Sequence, residues 1–188
     1  MRDHELVEAC KKKNRQAQKL LYERFAGQMM AVCMRYGGNR DTAEDMLQEG
    51  FITVFEKLWQ YTGEGALGGW IRRVMVTTCL EYLRKNKKHQ FTEDIEQQEG
   101  TSDLSAGVLS DMGFEELLKM ISELPPGYRT VFNLFAVEGY SHKEIAELLG
   151  ITESTSKTQF FKAKAQLRQQ IEKTNYASER SGNTTRTQ

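Results

Sequence analysis

The stretch Ser141–Arg168 constrains the fold of this chain most, because it specifies two short helices and the sharp turn between them. Ser141 and Glu144 have the S-x-x-E spacing of a capping box, in which each side chain accepts a hydrogen bond from a backbone N–H. Gly150 can end the first helix in left-handed backbone, and Thr152 can cap the second. This arrangement predicts a helix-turn-helix, the motif that places its second helix in the major groove of DNA.

The second helix of this motif has an apolar face and a basic face. The apolar positions recur at steps of three and four residues and are Phe160, Ala163, Leu167 and Ile171. The other stripe consists of Lys157, Phe161, Lys164 and Arg168, with Thr158 and Lys162 beside it. A basic stripe with one aromatic residue is typical of a DNA-contacting surface. The alternative interpretation is an ordinary helical hairpin whose basic face is only solvated.

Length and composition limit which kinds of protein this chain can be. A chain of 188 residues, 39% hydrophobic and 28% charged, allows one large domain or two small ones with a modest core. It contains no run of eighteen apolar residues and begins without a signal-peptide pattern, so we expect a cytoplasmic protein. Cys10, Cys33 and Cys79 are far apart within helical patterns, which predicts buried free thiols rather than a zinc site.

The net charge of zero hides an uneven distribution. Residues 1–88 carry 16 basic and 11 acidic side chains, residues 89–116 carry none and 8, and residues 117–188 carry 10 and 7. Two basic segments are therefore joined by an acidic one. A net charge of zero by itself argues against an anionic partner such as nucleic acid. The two basic segments, taken separately, are compatible with such a partner.

The N-terminal half shows helical periodicity almost throughout. Asn14 is a candidate cap for the second of two helices, and Asp41 with Glu44 has the spacing of a capping box for a helix that reaches Leu58. This last helix has more apolar residues than a single core-facing stripe requires. Its second apolar side either completes a two-sided core or docks a partner.

The segment Tyr61–Trp70 contains four glycines but no phosphate-binding motif. The helix that follows is apolar at its start and strongly basic at its end, near Lys88. A glycine-rich loop with aromatic residues beside a basic helix is typical of surfaces that hold unstacked single-stranded bases, each contributing about 1–3 kcal/mol. A solvated basic helix end, favoured by the helix dipole, is the alternative.

Residues 89–113 are acidic and polar, and this composition predicts a flexible linker. Helical pattern resumes at Phe114, and Pro125-Pro126 forces one helix to stop and another to start. No segment alternates as a strand would, so we predict an all-α protein of two small helical domains joined by a flexible acidic linker. The expected parts are a first domain at 1–88, the linker at 89–113, a second domain at 114–174 and a disordered tail at 175–188.

Nothing in the sequence indicates catalysis. His4, His89 and His142 are scattered, and no hydrolase or metalloprotease motif is present. Asp45 and Glu49 lie four residues apart on a helix and could be paired carboxylates, but a salt bridge or a basic partner suits them better. We expect no catalytic residue, no metal, no cofactor and no small-molecule substrate.

The order of motifs resembles a known family. The chain resembles bacterial RNA polymerase sigma factors in a series of motifs that follow one another in order. They are D-x-A-E-D-x-x-Q-E-x-F (Asp41–Phe51), then G-E-G, W-I-R-R and L-E-Y-L-R-K, then L-P-P-G-Y-R-x-V-F-x-L and the helix-turn-helix. The resemblance is to the extracytoplasmic-function (ECF) group, which keeps only the sigma-two and sigma-four domains, and it covers residues 5–88 and 114–172.

The resemblance implies three sets of site residues. Docking on the clamp coiled coil of the largest polymerase subunit falls to Asp45, Gln48, Glu49, Phe51 and Phe55. Opening and capture of the minus-ten element falls to Tyr61, Trp70, Arg72, Arg73, Thr77, Arg84 and Lys85. Contact with the minus-thirty-five element falls to Ser156, Lys157, Thr158, Phe161, Lys162, Lys164 and Arg168.

The resemblance also implies partners: core RNA polymerase, through the clamp and the flap of its second subunit, promoter DNA, and an anti-sigma protein that is often membrane-bound. The reading helix has lysine where arginine is frequent in the group, and lysine is a point charge rather than a bidentate fork. Thr77 stands where asparagine is frequent. A stand-alone helix-turn-helix regulator and a non-catalytic docking scaffold are the alternative functions.

Overall fold

The computed structural model describes residues 2–86 and 114–182, and every regular element within them is helical, as predicted. The chain divides into two compact units, the first within Met1–Lys88 and the second within His89–Gln188. The segment expected to be a linker, 89–113, lies outside the described residues, as does the end of the expected tail, 183–188.

The first unit contains four α-helices. They are α1 (Asp3–Lys11), α2 (Arg15–Gly37), α3 (Arg40–Lys57) and α4 (Leu67–Asn86), and a short 3-10 turn, Leu58–Gln60, follows α3. Asn14 caps α2 as predicted, because its side-chain oxygen accepts hydrogen bonds from the backbone N–H groups of Gln16 and Ala17 at 2.9 and 3.1 Å.

The predicted cap of α3 is corrected by the structure. The N-cap is Asn39, whose side-chain oxygen accepts the backbone N–H of Thr42 at 2.8 Å, and Asp41 lies inside the first turn. Glu44 pairs with Arg40 at 2.7 Å instead of completing a box with Asp41. Because α2 ends at Gly37, α3 begins soon after it, and its N-cap lies two residues before Asp41, the predicted cap.

Helices α2, α3 and α4 pack against one another and enclose the core of the first unit. Its fully buried members include Leu21, Tyr36, Met46, Leu67, Ile71, Met75 and Leu83. Burial of each large apolar side chain contributes about 1.5–3 kcal/mol. Cys33 and Cys79 meet in this core with their sulfur atoms 3.9 Å apart, and all three cysteines are buried and unbridged, which confirms the prediction of free thiols.

Helix α4 begins earlier than the glycines suggested. It starts at Leu67, so the glycine-rich loop is Tyr61–Ala66, and Trp70 lies in the first turn of the helix rather than in the loop. Tertiary packing overrides the low helix propensity of glycine here. Leu67 and Ile71 are fully buried, and a Cβ at Gly68 would lie 3.1 Å from the ring of Phe25.

The second unit contains α5 (Phe114–Glu123), α6 (Pro126–Phe132), α7 (His142–Leu149) and α8 (Glu153–Gly182), with a π-helical turn, Asn133–Val137, after α6. Pro126 occupies the first turn of α6 as predicted. Arg129 is buried and donates hydrogen bonds to the carbonyl oxygens of Ser122 and Leu124, at 2.7 and 3.1 Å. This side chain therefore satisfies the carbonyl end of α5.

The core of the second unit forms between α5 and α8. One cluster of this core consists of Met120, Ile121, Leu124, Ala163, Leu167 and Ile171, and Val131, Leu134 and Ile145 are also fully buried in this unit. Helix α8 continues to Gly182, past residue 174 at which we expected the ordered part to end. No proline or glycine interrupts the sequence between 174 and 182, so nothing local stops the helix. In the described parts of the chain, no helix is long and apolar enough to span a membrane.

Candidate functional site

Helix α3 presents a polar side with apolar side chains in it. Asp45, Gln48 and Glu49 are exposed, Phe55 is half-buried, and Ile52 is 58% exposed although it lies between them. We call Asp45, Gln48, Glu49, Ile52 and Phe55 the α3 face. Sequence reasoning missed Ile52, although its place four residues after Gln48 and three before Phe55 was a usable signal.

Phe51, predicted to contact a partner, is instead buried. Only 3% of its surface is exposed, and its ring packs against Tyr22 at 4.7 Å and Phe55 at 6.2 Å between ring centroids. Phe51 therefore supports the α3 face from below rather than forming part of it. The physical reason is that α2 packs against this side of α3, so the apolar residue nearest to α2 enters the core.

Asp45 links the α3 face to α4. Its carboxylate accepts a hydrogen bond from the hydroxyl of Tyr82 at 3.1 Å. Burial, and then the Asp45 carboxylate, raise the pKa of Tyr82, so this phenol stays protonated and continues to donate. Of the two carboxylates that the sequence left as a possible pair, Asp45 is thus oriented by α4, and Glu49 is exposed.

The loop Tyr61–Ala66 is organised by the aromatic residue that was expected to stack on DNA. The Tyr61 ring is 8% exposed and lies 5.7 Å from the ring of Trp70, and its hydroxyl donates to the carbonyl of Gly65 at 2.8 Å. Gly63 and Gly65 adopt φ values of 87° and 77°, which glycine tolerates and other residues rarely do. Tyr61 therefore shapes the loop, and the exposed groups are those of residues 62–66.

Helix α4 carries the remaining residues of the predicted minus-ten set. Trp70 is half-buried, and Arg73 and Thr77 are exposed at the three- and seven-residue steps that place them on one side of the helix with it. The Thr77 hydroxyl donates to the carbonyl of Arg73 at 3.0 Å. Arg72 is half-buried, and Arg84 and Lys85 are exposed in the last turn. The structure thus places Trp70, Arg72 and Arg73 in the first two turns of α4 beside the glycine-rich loop, whereas Arg84 and Lys85 lie at the far end of the same helix.

The helix-turn-helix has the local structure that the sequence predicts. The Ser141 hydroxyl accepts the N–H of Glu144, and the Glu144 carboxylate accepts the N–H of Ser141, at 3.3 and 2.8 Å. Gly150 caps α7 with φ 69°. Thr152 accepts the N–H of Thr155 at 3.0 Å, which satisfies a free donor at the start of α8.

A histidine joins the two helices of this motif. The ring of His142 stacks on Phe135 at 4.3 Å between centroids, and its Nδ1 lies 2.9 Å from the hydroxyl of Ser156. Burial lowers the pKa of His142, and the charge of Lys157 lowers it further against the opposing effect of Glu153. Ser156, which was predicted to face DNA, is fully buried.

The other predicted residues form one continuous stripe on α8. Lys157 and Arg168 are exposed and pair with Glu153 and Glu172 along the same helix, at 2.7 and 2.9 Å. The members between them are half-buried and are Thr158, Phe161, Lys162 and Lys164. We call this set, from Lys157 to Arg168, the α8 stripe. Exposed ion pairs of this kind are worth about 0–1 kcal/mol, so they yield readily to a phosphate.

Within the described residues, no group of three or more histidine, cysteine or acidic side chains is placed to hold a metal ion. The site residues form surfaces with exposed apolar groups on α3, and with cations and aromatic groups on α4 and α8.

Family models match the two units in order. The model for sigma-70 region 2 matches residues 21–89, and the model for sigma-70, region 4 matches residues 114–167. The two matches cover most of α2 with α3 and α4, and α5 to the middle of α8. The chain belongs to the sigma-70 family of RNA polymerase sigma factors.

Similarity to curated relatives identifies the group within the sigma-70 family. The chain is 26% identical over 181 residues to the ECF RNA polymerase sigma-E factor of Haemophilus influenzae, covering 90% of this chain and 95% of the relative. It is 27% identical over 173 residues to the ECF RNA polymerase sigma-E factor of Escherichia coli K12, covering 86% and 90%. Within the sigma-70 family the protein is an ECF sigma factor.

One solved structure also aligns over much of the chain. It is the sigma factor RpoE in complex with the anti-sigma factor NepR from Bartonella quintana, with a TM-score of 0.49 and 19% identity over 82% of this chain and 96% of that chain.

Membership of this group settles the general function. An ECF sigma factor binds core RNA polymerase and directs it to promoter DNA, where transcription begins; sigma factors are non-catalytic initiation factors. The match of both regions, in order, favours this function over a stand-alone helix-turn-helix regulator or a docking scaffold.

Proposed function

We propose that the protein divides its function among three surfaces. The α3 face docks on the clamp coiled coil of the largest polymerase subunit. The loop Tyr61–Ala66 with α4 opens and holds the minus-ten element, and the α8 stripe contacts the minus-thirty-five element while the second unit rests on the flap of the second polymerase subunit. The observation that carries the proposal is the exposure of Ile52, 58%, among polar residues of α3, within the segment that the region 2 model matches.

The α3 face has the composition of a protein-binding surface. Exposed apolar side chains surrounded by polar ones are typical of an interface centre with a polar rim. Ile52 and Phe55 supply the apolar centre, and Gln48 and Glu49 supply the rim. Phe51 acts indirectly in this proposal, because it is buried and only supports Phe55.

The docking proposal predicts a large effect at Ile52. Ile52→Lys places a charge in the interface centre and should weaken binding to core polymerase at least 30-fold, the roughly 2 kcal/mol of a hot-spot residue. Leu20→Lys is the matched control, since Leu20 is an aliphatic residue of α2 that is 41% exposed and outside the α3 face. Binding is measured by fluorescence anisotropy with labelled protein. Equal effects of the two changes would contradict the proposal.

The α8 stripe should bind phosphates more than it reads bases, because its cations are mostly lysines. Lys157→Ala and Lys162→Ala should each weaken promoter binding by the polymerase holoenzyme by a similar factor on all minus-thirty-five sequences. Each should also lower the slope of log affinity against log salt by about 1. Lys173→Ala, an exposed lysine of α8 outside the stripe, should change neither quantity. A loss confined to one DNA sequence would indicate base readout instead.

Thr77 should influence which minus-ten base is held. It is exposed on the same side of α4 as Arg73, and asparagine, which is frequent there in the group, offers two donors and an acceptor where threonine offers one hydroxyl. Thr77→Asn should shift the preferred base in a pool of fork-shaped templates randomised over the minus-ten element. An unchanged preference would remove Thr77 from the reading surface.

The proposal includes the protein's regulation and location. The group implies an anti-sigma protein that holds the factor inactive, and a polymerase subunit acts in the cytoplasm, where the polymerase and the promoter are. We also propose that the chain itself has no catalytic activity and needs no cofactor. Affinity purification from cells that recovers polymerase but never an inhibitor would contradict the regulatory part.

A further inference from the structure

A groove of 710 Å³ opens on the first unit where the turn between α1 and α2 faces the end of α3. Lys11, Lys13 and Arg15 lie on one side, and Phe55, Glu56 and Trp59 lie on the other. Trp59 is 72% exposed, the most exposed large apolar side chain of the described residues. Phe55 also belongs to the α3 face, so the groove borders that face, but Trp59 itself lies outside both the α3 face and the helix-turn-helix.

The cations of the groove are available. Lys11 pairs with Glu8 at 3.0 Å, but Lys13 and Arg15 form no ion pair or side-chain hydrogen bond with any residue that the structure describes. Glu56 is the one acidic group in the lining. The groove therefore has a net positive rim, in which Lys13 and Arg15 are unpaired cations within the described part of the chain.

Lys13 occupies an unusual backbone position. Its φ is 58°, and it is the sole non-glycine residue with positive φ among those described. It stands just after the C-cap of α1, where glycine is the usual residue because the left-handed conformation costs glycine little. A lysine at this position keeps a cation in the groove at the expense of backbone strain.

The groove is continuous along the chain with the loop that we assign to the minus-ten element. Trp59 and Gln60 end the 3-10 turn, and Tyr61 begins the loop directly after them. A strand that leaves the loop on the side of Trp59 would therefore meet an exposed indole ring and the cations of the groove. An exposed aromatic surface combined with uncompensated cations is the arrangement that binds single-stranded nucleic acid without base preference.

A peptide partner fits the groove less well. A peptide anchor needs an open apolar pocket, but Cys10 and Leu58 in the lining are buried and Phe55 is half-buried. Only the flat ring of Trp59 is widely open, and a base can stack on it.

We propose that this groove holds the single-stranded DNA that continues from the minus-ten element, with a base stacked on Trp59 and phosphates bound by Lys13 and Arg15. The proposal rests on the proposed binding of the minus-ten element by the neighbouring loop. It adds a contact that is independent of DNA sequence and that stabilises the open promoter beyond the captured base.

The test uses holoenzyme, formed at saturating core polymerase, and two fork templates made from a promoter that it transcribes. The short fork ends its single strand at the last nucleotide of the minus-ten element. The long fork extends the same strand by about six nucleotides, a length within the site sizes of single-strand binding grooves. Wild-type holoenzyme should bind the long fork more tightly, and the change of this affinity ratio in the groove variants measures the contribution of the groove.

Trp59→Ala should lower the affinity for the long fork about tenfold, within the range of one base stacked on an aromatic ring. Trp59→Phe should retain most of the affinity for the long fork. Lys13→Gly and Arg15→Ala should each lower the salt slope for the long fork by about 0.7, the value for one phosphate of a single strand. All four variants should bind the short fork as wild type does. Lys19→Ala, an exposed lysine outside the groove lining, should leave both forks unchanged.

Lys13→Gly separates binding from folding. Glycine suits the positive φ of this position, so the thermal midpoint of the variant should equal or exceed that of wild type while DNA binding falls. A loss of long-fork affinity in a more stable protein cannot come from unfolding.

Four outcomes would overturn the proposal. Wild-type holoenzyme could bind the two forks equally, or the variants could keep the full preference for the long fork. The variants could also lose core-polymerase binding while the preference stays, which would assign the groove to a protein partner. Holoenzyme that binds neither fork would refute the minus-ten proposal itself, and the groove proposal with it.

Discussion

At the scale of single residues, Gly50 determines how closely α3 and α4 approach. A Cβ added at this position would meet the side chain of Met75, with the methyl carbon at 2.7 Å. Met75 is fully buried, so its side chain has little room to move away. Gly50 lies on the side of α3 opposite the α3 face. The position of that face therefore depends on the absence of a side chain at Gly50.

We expect Gly50→Ala to destabilise the first unit by about 1–3 kcal/mol, as overpacking of a core does. Gly27→Ala is the control: Gly27 lies within α2 with open space around its Cβ direction, so alanine there should stabilise by about 0.5–1 kcal/mol. Urea unfolding measures both. Combining Gly50→Ala with Met75→Ala should cost less than the sum of the two changes, since each relieves the other.

At the scale of elements, the helix-turn-helix is held by a contact that can titrate. His142 is packed against Phe135 and joined to Ser156, and burial with the nearby Lys157 lowers its pKa below the ordinary 6.5. The folded state thus binds fewer protons at His142 than the unfolded state does. The stability that this packing contributes is complete above pH 6.5 and is lost as the pH falls through the lowered value.

We expect the backbone amides of α7 and α8 to lose protection against hydrogen exchange between pH 7.5 and pH 5.5, after correction for the intrinsic exchange rate. The carboxylates Glu144 and Glu153 have lowered pKa values and stay ionised over this window, so they do not contribute. Replacing His142 by Gln should remove the pH dependence. Protection that increases on acidification would show that Glu153, rather than burial, dominates the electrostatics of His142.

At the scale of the whole molecule, all three cysteines belong to one unit and lie in its interior. Burial raises the pKa of Cys10, and the neighbouring Cys33 thiol together with burial raises that of Cys79. Because the thiolate is the reactive form, these groups should be inert in the folded protein.

We therefore expect Ellman's reagent to label no thiol rapidly in native protein and three in denaturant. The rate of slow labelling should report the opening of the first unit, so Gly50→Ala should accelerate it and Gly27→Ala should slow it. Rapid reaction of Cys33 or Cys79 in the native wild type would mean that the α2–α4 contact opens without unfolding, whereas rapid reaction of Cys10 would mean that the reagent enters the groove beside α1.

Local signals in the sequence were sufficient for much of the fold. The caps at Asn14, Ser141 and Thr152, the break at Pro125-Pro126 and the all-helical class depend on bonds between residues two to four positions apart, so a short window contains all their determinants. The order of the motifs was equally readable, and it led to the family to which both matched regions belong.

Only the tertiary structure decided which side chains are available to a partner. Phe51 and Ile52 are adjacent and both apolar, yet α2 covers the first and leaves the second open. Ser156 is polar but buried against His142, and Tyr61 turns its ring inward to hold the loop. Periodicity places residues on the sides of a helix, but exposure depends on what packs against each side. For the same reason the Trp59 groove, formed where α1 meets the end of α3, has no counterpart in any single stretch of the sequence.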